Sequence, residues 1–268
     1  MLFVPAIPEA LASSEFYRKS RYHLSPDKLE SDYAPVRFER ELLLFRRFCP
    51  AGEVLDVGCS TGSFLHQLHS HWPNSYQVSG MDVAAAPLEF ASAKGLRVTC
   101  GQFADWDFGE QHFDAVTLWA VIEHLPSPRA FLAKAADILK VGGHCLILVP
   151  NARSLAIRLL GPRYRYIMPE HLNYFTPGTM RRFIAQEPRF TVCRLTGMHF
   201  NPIVIWQDWK SRGLPVPEAD RARLLKRTTA WKQSPRWKLL KFLYRASDRL
   251  LSQLWLADNL AIVLQRSS

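Results

Sequence analysis

Residues 54 to 65, VLDVGCSTGSFL, place an acid and two glycines between two apolar segments. This pattern predicts a strand, a tight turn and the first turn of a helix, because glycine adopts turn conformations with positive φ at little steric cost. Turns of this kind let a ligand approach the backbone closely. Asp56, Gly58 and Gly62 are therefore candidate residues for binding a nucleotide.

The spacing of these residues argues against two common nucleotide-binding loops. The dinucleotide pattern G-x-G-x-x-G, aligned on Gly58, would require glycine where the chain has Ser60 and Ser63. The P-loop requires a lysine that this turn lacks. The remaining pattern, D-x-G-x-x-x-G, suits a ligand with an amino acid end, since a carboxylate at the strand end can orient an ammonium group.

A second acid, Asp82, ends the next predicted strand in the segment GMDV. A carboxylate at this point of an α/β sheet can accept hydrogen bonds from both hydroxyls of a ribose. An ordinary exposed acid at a strand end would look the same. The interpretation of Asp82 as a binding residue therefore depends on the neighbouring turn.

Two histidines could accept a proton during catalysis, because neutral imidazole is a suitable base near neutral pH. His124, in IEHLPSP, follows the fourth predicted strand, and His171, in PEHLNYF, belongs to a segment expected to cover the site from the far side. Either ring could instead fix its loop by hydrogen bonding, and Glu123 is expected to anchor the same loop. No cluster with metal-ligand spacing stands out, so no metal site is predicted.

Strand and helix signals alternate from EVLDVG to HCLILVP, and this alternation predicts a parallel sheet with right-handed crossovers. Ser127 and Pro128 are predicted to begin a helix that ends at the glycine pair of KVGG. After Pro150 we expect a proline-rich loop, a helix from about Pro177, the strand FTVCRLTGMHF, a basic helical segment and a last strand, DNLAIVLQR.

The segments VLDVGCSTG, GMDV, GQFADWDF, FDAVTLWAVIEHLPSP and LKVGGHCLILVPN occur in this order. Together they resemble a class I S-adenosylmethionine-dependent methyltransferase, in particular the branch that contains the ubiquinone-biosynthesis O-methyltransferases. The resemblance covers about residues 37 to 205, DNLAIVLQR is similar to the terminal strand of the family, and PEHLNYFTPGTM also recurs in the branch. The chain departs from the family at Ser60, where glycine is commoner, and at Gln102, where an acid often follows the glycine.

The resemblance implies an α/β fold: a Rossmann-like seven-stranded, mostly parallel sheet with helices on both faces and a helical insert before the last strand. It also implies S-adenosyl-L-methionine as the cofactor, bound over the carboxyl ends of the strands. By resemblance, the residues that contact the cofactor are Asp56, Gly58, Cys59 and Gly62 at the methionine part, Asp82 and Val83 at the ribose and adenine edge, Gln102 and Phe103 at adenine, and Trp119 beside the sulfonium. Cys59 and Trp119 could equally be core residues.

The whole chain, residues 1–268, is predicted to form a single methyltransferase domain. Its parts are a helical lead-in (1–50), a cofactor-binding core (51–205), a basic helical insert (206–256) and a final strand (257–266). No signal peptide and no apolar run long enough to span a membrane is recognised, and the five cysteines are scattered without a Cys-x-x-Cys pair. We therefore expect a cytoplasmic protein.

Positive charge is concentrated in the predicted insert. Residues 206–256 contain twelve Lys or Arg and four Asp or Glu, a local charge of +8 in a chain whose net charge is +10. Basic amphipathic helices that carry tryptophan can lie on an anionic membrane surface, but the apolar stripe could also pack on the sheet while the charges are solvated. The stripe is formed by Trp237, Leu240, Tyr244, Leu251 and Leu254, widened by Leu243, Leu250 and Trp255.

Lys, Arg and aromatic residues are also typical of an RNA-binding surface. No RNA-binding module is visible, so nucleic acid is not the expected partner.

Methyl transfer from a sulfonium mainly requires alignment of the acceptor, which can contribute roughly 7–11 kcal/mol. A general base adds about 10²–10⁴-fold. The acceptor can therefore change while the cofactor turn stays the same. The expected activity is methylation, to oxygen, of a small or lipid-like metabolite. The alternatives are an RNA or protein methyltransferase and a catalytically silent cofactor-binding protein.

Overall fold

A seven-stranded sheet forms the centre of the protein in the computed structural model, which describes residues 2–3, 9, 15–19, 22–211, 214, 216–234 and 238–268. The strands of the described residues are β1 (Leu2–Phe3), β2 (Gly52–Val57), β3 (Tyr76–Asp82), β4 (Arg97–Cys100), β5 (Phe113–Trp119), β6 (Leu139–Pro150), β7 (Asn173–Tyr174), β8 (Phe190–Met198) and β9 (Asn259–Arg266). Strands β1 and β7 form a separate antiparallel pair.

The order of the strands in the large sheet is β4-β3-β2-β5-β6-β9-β8. Strand β9 runs antiparallel to β6 and β8, and the other neighbouring strands are parallel. The chain winds outward from β2 in one direction and from β5 in the other. The gap between the carboxyl ends of β2 and β5 is therefore the switch point at which open α/β sheets bind their ligands.

Helices surround this sheet, as the α/β fold requires. The described helices are α1 (Glu15–Lys19), α2 (Pro26–Asp32), α3 (Glu39–Phe48), α4 (Ser63–His71), α5 (Ala85–Ala93), α6 (Pro128–Ile138), α7 (Leu155–Leu160), α8 (Pro177–Ile184), α9 (Pro202–Lys210), α10 (Glu218–Gln233) and α11 (Lys238–Gln253). Short 3₁₀ helices cover Tyr22–Leu24, Phe103–Asp105, Ile122–His124 and Gly161–Arg163.

The two faces of the sheet carry separate apolar cores, because successive residues of a strand point to opposite sides. Leu55 and Ile147 belong to one core together with residues of α6 and α8, whereas Val54 and Leu146 belong to the other together with residues of α3, α4 and α5. The sequence-based expectation of a seven-stranded, mostly parallel sheet with helices on both faces is confirmed.

The predicted end of α6 is wrong in one respect. The helix passes directly into β6 at Leu139, so Gly142 and Gly143 lie inside the strand. The pairing of β5 with β6 jumps from Phe113–Leu139 to Ala115–His144, and the glycines therefore belong to a bulge. Ser127 precedes the helix but makes no side-chain capping hydrogen bond.

In its described residues, the basic insert contains the helices α9, α10 and α11 between β8 and β9. Ser234 caps the carboxyl end of α10, and residues 235–237 lie outside the described residues. No described helix is long and apolar enough to cross a bilayer.

The predicted apolar stripe of α11 is divided between two sides of the helix. Tyr244 and Leu251 are half-buried, whereas Leu250 and Leu254 are exposed. Trp237 lies outside the described residues, and so does the side chain of Leu240. Helical spacing correctly predicted a helix with an apolar stripe. It could not show which apolar side chains face the protein and which face solvent.

Candidate functional site

The turn between β2 and α4 requires glycine at two positions. Gly58 and Gly62 both have φ of 73°, a region that residues with a β-carbon rarely adopt. A β-carbon on Gly58 would lie 2.6 Å from Cγ2 of Val121, and one on Gly62 would lie 2.4 Å from Cδ1 of Leu96. Ser60 has φ of 51° in the same turn, so a non-glycine residue there is held in a strained conformation.

The side chain of Cys59 packs beneath this turn. A β-carbon on Gly80 of β3 would lie 2.6 Å from Cys59 Sγ, so the turn and the strand are in direct contact. The backbone N–H groups of Gly58 and Cys59 both donate to the carbonyl of Met81, at 2.7 and 3.1 Å. Only the backbone of Cys59 could therefore face a ligand.

Asp56 is a buried acid at the end of β2. Thr117 Oγ1 donates a hydrogen bond to its Oδ1 at 2.6 Å. Burial, with a smaller contribution from the nearby Asp82, raises the pKa of Asp56 to about 7. A cationic group of a ligand would lower this pKa again, so the site suits an ammonium group.

Asp82 fixes the end of β3 to the turn. Its Oδ2 accepts from the backbone N–H of Ser60 at 2.8 Å, and its Oδ1 accepts from that of Ala84 at 2.9 Å. Each carboxylate oxygen keeps a second lone pair that could receive a ligand hydroxyl. Val83, the next residue, is half-buried at the same edge.

The segment after β4 presents mainly backbone to the site. Gln102 is half-buried, but the ring of Phe103 is buried among Phe108 and Phe131 in the core. If Phe103 contacts adenine, it does so through its backbone. The ring of Trp106, which the sequence did not single out, lies against Gly101.

Trp119 ends β5 next to the turn, and its ring packs against Phe64 at a centroid distance of 5.2 Å. Its Nε1–H is buried and finds no hydrogen-bond acceptor among the described residues. A buried donor without a partner costs free energy. The indole N–H is therefore a candidate contact for a ligand.

His124 and His171 meet at the carboxyl end of β5. Their ring centroids are 4.6 Å apart with planes at 72°. His124 Nδ1 lies 2.9 Å from the carbonyl oxygen of Glu170, and His171 Nδ1 lies 2.8 Å from that of Tyr166. Since a carbonyl only accepts, each Nδ1 carries the proton and each Nε2 has a free lone pair in the neutral ring.

Burial keeps both rings neutral at physiological pH. It lowers the pKa of His171 to about 3, where the neighbouring His124 contributes in the same direction. Burial also lowers the pKa of His124. The two sequence-predicted bases are thus in one place and both neutral, but a pKa of about 3 makes His171 a weak proton acceptor.

Glu123, interpreted from the sequence as a loop anchor, also belongs to this cluster. Its backbone carbonyl does anchor the loop, accepting from Leu172 N at 2.8 Å. Both carboxyl oxygens are buried without a hydrogen-bond partner in the part of the chain that the structure describes. Burial raises the pKa of Glu123 to about 8, so the group is mostly protonated at neutral pH. Its position beside His124 was the signal available in the sequence.

Glu123, His124 and His171 offer ligand atoms that all lie within 4.8 Å of one another. Imidazole nitrogens with a carboxylate oxygen suit a divalent transition metal ion. Such an ion would first have to displace the proton of Glu123. The same three groups could instead surround the hydroxyl of an acceptor.

The lead-in covers the site through two tyrosines that the sequence did not reveal. Tyr17 Oη lies 3.0 Å from His124 Nδ1, and the Tyr33 hydroxyl donates to the carbonyl of Thr61 in the glycine turn. Gln67 of α4 donates to the carbonyls of Asp32 and Ala34 at 3.0 and 2.9 Å and holds the same segment in place. Residues of the lead-in therefore cover both the glycine turn and the histidine cluster.

Residues 31–187 match the family model of a methyltransferase domain. The chain belongs to the methyltransferase domain family. Its enzyme class, S-adenosylmethionine-dependent methyltransferase, agrees with the expectation from the sequence motifs. The glycine turn, the buried Asp56 and the unpaired indole N–H of Trp119 fit S-adenosyl-L-methionine as the cofactor.

Two curated relatives are O-methyltransferases. The ubiquinone biosynthesis O-methyltransferase of Vibrio parahaemolyticus is 29% identical over 165 residues, which cover 56% of this chain and 68% of the relative. The protein of the same name from Cronobacter sakazakii is 27% identical over 165 residues, covering 56% of this chain and 66% of the relative.

Solved structures agree with the fold. The plantazolicin methyltransferase BpumL, in complex with S-adenosylhomocysteine, has a TM-score of 0.57 at 13% identity, covering 97% of this chain and 95% of that one. An S-adenosylmethionine-dependent methyltransferase from Archaeoglobus fulgidus has a TM-score of 0.56 at 19% identity, covering 92% and 100%. At these identities the likeness concerns the fold.

Proposed function

We propose that this methyltransferase methylates an oxygen atom of a small or lipid-like metabolite. The observation that carries the proposal is the pair His124 and His171, two neutral rings in edge-to-face contact at the carboxyl end of β5, each with Nδ1 at hydrogen-bonding distance from a backbone carbonyl. When bound, S-adenosyl-L-methionine supplies an activated methyl carbon. One of the two histidines takes the proton of the acceptor hydroxyl as the new bond forms.

The other site residues bind and align. Asp56 would orient the ammonium group, the backbone of Gly58, Cys59 and Gly62 would receive the methionine part, and Asp82 with Val83 would hold the ribose. Gln102 and the backbone of Phe103 would border the adenine, and Trp119 would contact the sulfonium end. Alignment is the larger contribution, worth roughly 7–11 kcal/mol against the few kcal/mol of a base.

Two observations favour oxygen in a small acceptor. The curated relatives named above are O-methyltransferases. The histidine cluster is covered by Tyr17 and by the loop that carries His171, so a compact or narrow acceptor fits better than a folded macromolecule. A hydroxyl needs a base more than an amine does, and the cluster provides two.

The alternatives predict different products. An RNA or protein methyltransferase would label those polymers, and a silent cofactor-binding protein would label nothing. Tritium transfer from labelled cofactor into the lipid, small-molecule, RNA and protein fractions of an extract separates these cases. We expect label in the lipid or small-molecule fraction, whereas label in RNA or protein alone, or cofactor binding without transfer, would refute the proposal.

We further propose a cytoplasmic setting with a peripheral contact between residues 206–256 and an anionic membrane surface. The charge of +8 in this segment supports the contact. Nucleic acid remains the disfavoured partner.

A further inference from the structure

The outward side of α11 is apolar and open to solvent. Phe242, Leu243, Leu250 and Leu254 are exposed by 67, 52, 56 and 55%. At 100° per residue these side chains fall on the side of the helix opposite the buried Asp248. We call these four residues the outer face of α11. A cluster of large apolar side chains on one exposed face is typical of an interaction surface.

The inner side of α11 is fixed to the body of the protein. Asp248 forms an ion pair with Arg40 of α3, and the Tyr244 hydroxyl donates to the carbonyl of Phe200 at 2.8 Å. A β-carbon on Gly197 would lie 2.7 Å from the carbonyl oxygen of Ser252, so the helix touches β8 backbone to backbone. The helix therefore has its packing partner, and the outer face is additional to it.

Positive charge borders the outer face. Arg245 and Arg249 lie between the outer face and the packed side, and both are exposed. Arg245 faces Glu39 only at 3.8 Å, with both side chains more than half exposed, so water screens this pair. An apolar strip with a basic flank is the arrangement of helices that lie in the interface of an anionic bilayer.

A second helix of the insert repeats the pattern. On α9, Trp206 and Trp209 are exposed, on the side away from Asp208, which is buried and paired with Arg165. Lys210 Nζ lies 5.1 Å from the ring of Trp206. Tryptophan and lysine together are typical of the headgroup level of a membrane.

The end of α11 lies at the same edge of the sheet as the active site. Asn151, which follows β6, donates from Nδ2 to the carbonyls of Trp255 and Ala257, both at 2.9 Å. Leu155 N donates to the carbonyl of Leu256 at 2.9 Å. The connection after α11 is thus tied to the carboxyl end of β6, next to the strand that positions His124.

We infer that the outer face of α11 inserts into the surface of an anionic phospholipid bilayer and that the acceptor reaches the active site from this bilayer. The inference narrows the proposed membrane contact to one helix face and specifies an amphiphilic acceptor. Charge complementarity favours the bilayer over other occupants. A second copy of the chain would bring two basic flanks together, and RNA would leave four large apolar side chains without a partner.

Flotation of the full-length protein with phosphatidylcholine vesicles, with and without phosphatidylglycerol, tests the inference. The wild type should float with the anionic vesicles only. The double variant Leu243→Gln and Leu250→Gln keeps every charge and should lose about tenfold or more of this binding, because two apolar side chains no longer insert. Val141→Gln with Leu43→Gln, two equally exposed apolar positions elsewhere, should bind as the wild type does.

Three further measurements make the result decisive. Arg249→Gln should weaken flotation and reduce its dependence on salt. Calorimetry with S-adenosylhomocysteine should give the same affinity for all variants, so a failed cofactor site is distinguished from a failed membrane face. Light scattering reports the oligomeric state in parallel.

Absence of flotation by the wild type overturns the inference. So does equal flotation of the Leu243→Gln and Leu250→Gln variant. A wild-type dimer that becomes monomeric in this variant, without vesicle binding, would assign the face to a second copy. Displacement of the protein from vesicles by RNA at physiological salt would assign it to nucleic acid.

Discussion

His124 and His171 approach each other edge to face although they belong to different segments, and each places Nδ1 at hydrogen-bonding distance from a backbone carbonyl. The carbonyls select the same tautomer in both rings. The Glu123 carboxyl belongs to the same cluster, with ligand atoms of the three side chains within 4.8 Å of one another. The reactivity of the site depends on this arrangement more than on either ring alone.

Removing one of these bases should slow transfer without weakening cofactor binding. Of the two variants His171→Gln and His124→Gln, the one that lacks the catalytic base should transfer tritium about 10²–10⁴-fold more slowly than the wild type. The affinity for S-adenosylhomocysteine should change little. His69→Gln, on the exposed side of α4, is the matched control. Unchanged rates in both variants would remove the histidines from the reaction.

Asp56 should couple cofactor binding to proton release. Its pKa of about 7 in the free protein means that part of the population is protonated near neutral pH, and an ammonium group binds the ionised form. Calorimetry with S-adenosylhomocysteine should show rising affinity from about pH 6 to about pH 7.5.

Asp56→Asn keeps an acceptor for Thr117 but should bind about tenfold or more weakly and lose this pH dependence, since a charged hydrogen bond is worth about 1.5–3 kcal/mol. Asp107→Asn, at an exposed loop, is the control. A pH profile that survives in Asp56→Asn would assign the titration to another group.

Glu123 should make the ligand-free protein less stable in mild alkali. The pKa of this acid is about 8 in the folded protein and 4.5 in the reference state. Between these values only the folded state holds the proton, so the free energy of unfolding falls as pH rises towards about 8. One proton corresponds to at most about 1.4 kcal/mol per pH unit.

Urea unfolding at about pH 7 and about pH 8 measures this slope. Asp56 and the histidines of the unfolded chain also titrate in this interval, so the contribution of Glu123 is the difference in slope between the wild type and Glu123→Gln. Glu123→Gln should flatten the slope, and the exposed Glu110→Gln should keep it. An identical slope in Glu123→Gln would contradict the assignment.

Tyr33 should contribute to cofactor affinity although it lies outside the sequence motifs of the core. Tyr33→Phe removes the hydrogen bond to Thr61 and should cost about 1 kcal/mol of turn stability, seen as roughly fivefold weaker binding of S-adenosylhomocysteine. Tyr244→Phe removes a comparable hydroxyl-to-carbonyl bond far from the turn. Equal affinities for the two variants would show that the cover does not support the turn.

Local patterns were sufficient to predict the alternating strands and helices of the core, and the family resemblance predicted the seven-stranded sheet. The cofactor contacts of the glycine turn stay a prediction. The acid, the two glycines and the strand ends of the cofactor side lie close together in sequence, and the requirement for positive φ marks Gly58 and Gly62 directly. The acceptor side was predicted less completely. Tyr17 reaches His124 across 107 positions, and no pattern in the lead-in announces that contact.

Two features depended on burial, which spacing does not reveal. From the sequence, Glu123 is expected only to anchor its loop. Only the folded chain shows that its carboxyl oxygens are enclosed without a partner among the described side chains. For α11, apolar residues occur on both sides of the helix, so periodicity gave its amphipathic character but not which leucines face outward.

The contact between Gly80 and Cys59 limits how this enzyme can change. Because strand β3 and the glycine turn are in contact at Gly80, a methyl group at position 80 would displace the turn that is proposed to bind the methyl donor. New acceptor specificities are therefore more accessible through the histidine side, where side chains rather than backbone border the space. Evolution or design would keep the donor geometry constant and vary the opposite wall.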